Sequence, residues 1–173
     1  MRRVVVIGSG GSGKTTFARR LAAGTGLPLT HLDQLYWRPG WQPTPDPEWR
    51  EVVRRLISGD AWILDGNYGG TLDLRLEACD TAVFLDVPRR ICLARVIARR
   101  LSHRGRSRRE LPTGCPERWS LEFLAWIWTY PRRRRTEVLR RLAAFRAGQR
   151  SIVLRTDAQI EAFLAAEARF SPA

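Results

Sequence analysis

The octapeptide Gly8-Ser9-Gly10-Gly11-Ser12-Gly13-Lys14-Thr15 narrows the possible folds more than any other feature of the chain. It matches the pattern GxxxxGK followed by Ser or Thr. Before it stands Arg3–Ile7, a short β-branched run with the character of a buried parallel strand. After it comes a predicted helix, Lys14–Ala23, with Phe17, Ala18, Leu21 and Ala22 on one face. Glycines let such a loop curl with its amides inward and leave room for phosphate oxygens. A helix beginning near Gly13 adds the partial positive charge of its N-terminus. Gly8, Gly10, Gly11, Ser12, Gly13, Lys14, Thr15 and Thr16 are therefore the expected nucleotide-binding residues. Lys14 would reach the β- and γ-phosphates, and the Thr15 hydroxyl would hold Mg²⁺, so ATP and Mg²⁺ are the expected cofactors.

The charge pattern sharpens this reading. The chain has 30 basic residues and a net charge of +13, yet Lys14 is its single lysine and the other 29 are arginines. Where a compact ammonium on a flexible stem is needed, a guanidinium fork does not substitute. Residues 89–150 hold 18 basic against four acidic side chains, a local net of +14. Such a field attracts polyanions, nucleic acid included, although a strong arginine bias also suits a solvated surface. Cys79, Cys92 and Cys115 show no CxxC spacing, which argues against a disulfide framework or zinc site and points to a reducing cytoplasm. The apolar run before Gly8 is too short for a secretory segment, and none approaches the roughly 18–20 residues of a membrane span. A length of 173 residues suits one domain.

Further strands are predicted at Pro28–Leu32, Ala61–Leu64, Thr81–Leu85 and Ser151–Leu154. Helices are predicted from Pro47, with Asp46 as cap, from Pro88, over Trp119–Tyr130 and Arg132–Ala147, and over Asp157–Ala168. Asp33–Pro45 reads as irregular and His103–Glu117 as a loop. Strands alternating with helices imply an α/β fold, a parallel sheet covered on both faces. Asp65 and Asp86 each end a strand and are alternative metal-side carboxylates, or simple turn caps. Asp33, also at a strand end, stands near Tyr36, Trp37 and Trp41. It would receive or position an acceptor hydroxyl between aromatic walls, or else cap a turn beside local core. Among the arginines, Arg99 with Arg104 or Arg106 would close over the transferring phosphate. Arg132–Arg135 reads as a solvated helix start, and His31 and His103 carry no evident role.

The segments GSGGSGKTTFARRLA at 8–22, HLDQLYWRPGW at 31–41, ILDGNY at 63–68 and VFLDVPRR at 83–90 resemble the adenylate-kinase-like P-loop kinases. Within them the likeness is to small bacterial proteins labelled DNA topology modulation protein. The resemblance implies a P-loop NTPase three-layer sandwich: a five-stranded parallel sheet, an acceptor segment at about 31–60 and a short Arg-rich lid at about 99–118. It places the acceptor near Asp33, Tyr36, Trp37, Arg38, Asp65, Asn67 and Tyr68. Where monophosphate kinases continue Asp-Gly with Phe-Pro-Arg, this chain has Asn67-Tyr68-Gly69, leaving Arg38 or Arg75 to replace the missing arginine. The expected activity is transfer of the ATP γ-phosphoryl group to a nucleoside or nucleotide. The competing expectations are a nucleotide-dependent nucleic-acid binder, using the basic segment with Trp119, Trp126 and Trp128, and a regulatory ATP-binding module without turnover.

Overall fold

In the computed structural model the β-branched run near the N-terminus is β1 (Arg3–Gly8), the middle strand of the sheet. The structure describes residues 1–102, 112–115 and 120–168. After β1 the chain forms α1 (Lys14–Thr25), β2 (Leu29–His31), α2 (Leu32–Tyr36) and a small hairpin of β3 (Trp37–Arg38) and β4 (Gln42–Pro43). It continues through α3 (Asp46–Ile57), β5 (Trp62–Asp65), a 3-10 turn at Gly69–Thr71, α4 (Leu72–Ala78) and β6 (Thr81–Leu85). Then follow α5 (Arg89–Ser102), α6 (Leu121–Tyr130), a π-type turn at Pro131–Arg135, α7 (Thr136–Ala143), β7 (Arg150–Leu154) and α8 (Asp157–Ala168).

The five-stranded sheet has the order β2-β5-β1-β6-β7, and every pairing is parallel. Residues alternate across a strand, so β1 feeds two cores. Val4 and Val6 pack with Phe17 and Leu21 of α1, Cys92 and Val96 of α5, Ile127 of α6 and Ile160 and Leu164 of α8. Val5 and Ile7 pack with Trp49 and Val53 of α3, Leu72 and Leu76 of α4, Tyr130 and the α7 residues Val138 and Leu142. Val4 to Ile7 are all buried, each stabilising the fold by about 1.5–3 kcal/mol relative to exposure. This is the predicted α/β architecture, with all five strands where the sequence placed them to within a residue or two.

Four local expectations change. The 33–45 segment is ordered as α2 and the β3–β4 hairpin, closed by Thr44, which donates from N and Oγ1 to the Tyr36 carbonyl at 2.9 and 2.7 Å. Helix α3 begins at Asp46 itself with Pro45 in the cap position, so Asp46 is a first-turn acid rather than the cap. Helix α4 was not foreseen. The Arg132–Ala147 helix is instead a π-type turn followed by the shorter α7. The expected lid, about 99–118, falls mostly on residues outside those described. No described helix is long and apolar enough to cross a membrane.

Candidate active site

The C-terminal ends of β1, β2 and β5 converge, which is where ligands bind in open α/β sheets. The Gly8–Thr15 loop leaves β1 there and arches back on itself, with Ser12 N donating to Ser9 O at 3.1 Å. Two neighbours explain its glycines. A Cβ on Gly11, whose φ is +77°, would stand 2.2 Å from the Cys92 carbonyl oxygen of α5. One on Gly10 would stand 2.5 Å from Cζ of Phe123, so α6 lies directly on the loop. Helix α1 starts with no side-chain cap on Gly13, leaving the first-turn amides of Lys14, Thr15 and Thr16 for an anion. The hydroxyls of Ser9 and Ser12 are buried without a hydrogen-bond partner, as expected of a cradle shaped for something else.

Lys14 Nζ donates to Ser9 O at 2.9 Å across the mouth of the loop. Burial draws its ammonium below the ordinary lysine range, opposed by the nearby carboxylates of Asp65 and then Asp33. Asp65, at the end of β5, is buried. Its Oδ2 is bonded to Nδ1 of His31 at 2.9 Å, and its Oδ1 is buried with no partner. Asp33, in α2, accepts from the Tyr68 hydroxyl at 2.5 Å through Oδ1. Burial first, and Asp33 second, push the Tyr68 phenol far above its usual range, so it remains a proton donor at working pH. The Tyr68 ring lies among Tyr36 and Trp49, with ring centroids 4.5 and 5.1 Å away, and Trp37 packs edge-on against Tyr36 at 4.9 Å.

Asn67 does not face outward as an acceptor ligand alone. Its Oδ1 accepts from Gly8 N at 3.1 Å and ties the phosphate loop to the end of β5. Replacing it (Asn67→Ala) orphans that amide, and nucleotide affinity measured by calorimetry should fall by about 5–30-fold, the equivalent of about 1–2 kcal/mol. Unchanged affinity would show that the tie is dispensable.

Two expected site residues are already engaged within the protein. Arg75 is fully buried. Its guanidinium donates to the carbonyls of Gly66 (2.8 Å), Asn67 (2.5 Å), Tyr68 (2.9 Å) and Thr71 (3.3 Å). Asp86 is bonded to two arginines. Both its oxygens are taken by Arg135 Nε, at 2.8 and 3.0 Å, and Oδ2 also by Arg155 Nε at 3.2 Å. Arg135 therefore turns inward from the run read as solvated. Arg38 is exposed and held by Glu48 at 2.6 Å. Arg99 lies in the last turn of α5; Arg104 and Arg106 lie outside the described residues. Of the tryptophans read as nucleic-acid contacts, Trp126 packs against both cores and Trp128 carries Arg89 over its ring at 3.9 Å, while Trp119 lies outside the described residues.

Beyond the loop, Ser12, Gly13 and Thr16 line a cavity of about 260 Å³ between α1, α5 and α8. Its walls include Phe17 and Ile160, and its rim the ion pairs Arg20–Glu161 (2.5 Å) and Arg95–Asp157 (2.8 Å). Among the described residues no cluster of three or more His, Cys, Asp or Glu is placed to hold a metal by itself. The buried, unpartnered Asp65 Oδ1 instead suits a hard cation that takes one or two protein oxygens and completes its shell from phosphate and water.

A central strand leading into a phosphate-cradling loop, within a five-stranded parallel sheet of this order, defines the P-loop kinase fold. Solved structures with that fold include a shikimate kinase from Acinetobacter baumannii in complex with shikimate, at 17% identity and a TM-score of 0.62, covering 96% of this chain and 90% of that one. A shikimate kinase from Bacteroides thetaiotaomicron aligns over 95% of both chains at 18% identity and a TM-score of 0.55. An unliganded sugar kinase from Janibacter shares 24% identity over 95% of this chain and 93% of that one, at a TM-score of 0.48 that supports no further argument. No protein-family profile matches the chain, and no curated protein matches its sequence.

Proposed function

We propose that this protein is an ATP-dependent phosphotransferase that moves the γ-phosphoryl group onto a hydroxyl of a small acceptor, a nucleoside or nucleotide. One observation carries the reading: the Lys14 ammonium stands in the field of two carboxylates, Asp65 and Asp33, at the mouth of a loop whose Ser9 and Ser12 hydroxyls lack partners. In this reading the loop amides and Lys14 hold the β- and γ-phosphates, and the cavity beyond Thr16 takes the outer part of the nucleotide. Thr15 and Asp65 hold Mg²⁺, which when bound neutralises charge on the β- and γ-phosphate oxygens. Asp33, fixed by Tyr68, takes the acceptor proton as the new oxygen–phosphorus bond forms and the bond to the β–γ bridging oxygen breaks, releasing ADP. Tyr36, Trp37 and Tyr68 give the acceptor an aromatic wall. Arg99, with Arg104 and Arg106, supplies cationic charge to the transferring group.

The test is a panel of nucleosides, nucleotides and small polyols offered with Mg-ATP to purified protein. The expected result is acceptor-dependent ADP release. In Asp33→Asn the transfer rate should fall by about 10²–10⁴-fold, with affinity for a non-hydrolysable ATP analogue changed less than about threefold. Tight ATP binding with no transfer to any member of the panel would favour a regulatory module. Salt-sensitive binding to DNA or RNA without transfer would favour the nucleic-acid reading.

A further inference from the structure

The pair formed by His31 and Asp65 was not expected, because in the sequence His31 belongs to no triad or metal constellation. We propose that His31 is a positioning residue of the phosphoryl-transfer site, holding Asp65 so that its second oxygen is presented to the metal; this rests on the reading above. Strands β2 and β5 are adjacent and parallel, and their register sets His31 directly beside Asp65. Cross-strand neighbours share a face of the sheet, so the imidazole and the carboxylate meet without either strand bending. Nδ1 donates to Oδ2 at 2.9 Å, and the two side chains are only 12% and 5% exposed.

What the bond accomplishes follows from the carboxylate's own freedom. Rotation about the terminal torsion of an aspartate is broad and nearly two-fold, so an untethered Asp65 would exchange its oxygens. With Oδ2 fixed, Oδ1 has one direction. That oxygen is buried and has no partner, an arrangement that is costly unless an incoming group meets it. Lys14 does not fill the role, since its Nζ is turned to Ser9 O. Partners of this kind orient the carboxylates that ligate metals, and their loss weakens metal binding by about 10–100-fold.

The experiment measures the affinity of a non-hydrolysable ATP analogue by calorimetry with and without Mg²⁺, and Mn²⁺ binding to the analogue complex by electron paramagnetic resonance. Wild type, His31→Phe, His31→Asn and His31→Gln are compared, each with its melting temperature. In His31→Phe the gain in affinity conferred by Mg²⁺ should shrink at least about tenfold, with Mg²⁺-free affinity within about threefold of wild type. His31→Asn sets an N–H where Nδ1–H stood and should recover most of the gain; His31→Gln sets it at the Nε2 position and should not. A full Mg²⁺ gain in His31→Phe, or equal behaviour of the Asn and Gln variants, overturns the assignment even if His31→Phe folds poorly. A wild-type protein with no Mg²⁺-dependent gain at all would instead overturn the phosphotransferase reading on which it rests.

Discussion

Lys14→Met should lower phosphoryl transfer by about 10³-fold or more while leaving the melting temperature within a few degrees. Methionine keeps the length and much of the volume of the side chain, so the apolar stem survives and only the ammonium goes. What is lost is a cation that spans the loop mouth, bonded to Ser9 O and close to both Asp65 and Asp33. Without it those two carboxylates face the incoming triphosphate uncompensated, and like charges at this range are strongly repulsive in a partly dry site. The larger loss belongs to kcat, because negative charge develops on the leaving β–γ bridging oxygen in the transition state. Lys14→Arg should rescue little, since a broad planar fork does not present its donors as a compact ammonium does. Wild-type kinetics in Lys14→Met would remove the basis for the proposed function. A loss confined to KM would leave Lys14 a binding residue only.

Arg75→Leu should destabilise the protein by about 3–5 kcal/mol and lower its melting temperature by about 10 °C, the largest stability effect expected of any single change at the site. The residue lies at 0% exposure, and burial draws its guanidinium down to about 10, still charged at neutral pH. Among the described residues it has no carboxylate partner. Four main-chain carbonyls between Gly66 and Thr71 satisfy it instead. That stretch includes Tyr68 with a φ of +29°, a backbone state that a non-glycine residue adopts only when its surroundings impose it. Leucine would fill part of the volume and leave the carbonyls facing apolar neighbours. Arg75→Lys has one ammonium for four acceptors in a forked array and should recover less than half of the loss. Activity should fall in the same variants, because the stretch carries Tyr68 and with it the orientation of Asp33. A melting temperature for Arg75→Leu within about 2 °C of wild type would contradict this account.

The phosphate loop and the five strands were legible because their signals are local. A glycine-rich octapeptide with the chain's sole lysine and short β-branched runs each carry their meaning in a few consecutive residues. Helix α4 escaped because it is seven residues long and follows Gly69 and Gly70, which read as a break. The roles of individual arginines escaped for a different reason. Composition says that an arginine is exposed, and only the fold reveals that Arg75 is enclosed by carbonyls or that Arg135, within a run of four, turns to Asp86. His31 escaped because its partner is set by strand register, and pairing between β2 and β5 is not written in either segment alone. The bond between Asp33 and Tyr68 escaped too, because it joins two segments that lie far apart in the chain.

The central place of β1 has a consequence for how the chain is made. The strand is synthesised before either of its partners in the sheet, which begin at Trp62 on one side and Thr81 on the other. Until both have been synthesised, Val4 to Ile7 present two unsatisfied edges of high β-propensity, and contacts so distant in sequence form slowly. A nascent chain of this design is exposed to mispairing while the segments between β1 and β6 are being made, and the loop that follows β1 cannot be completed until β5 and β6 have emerged.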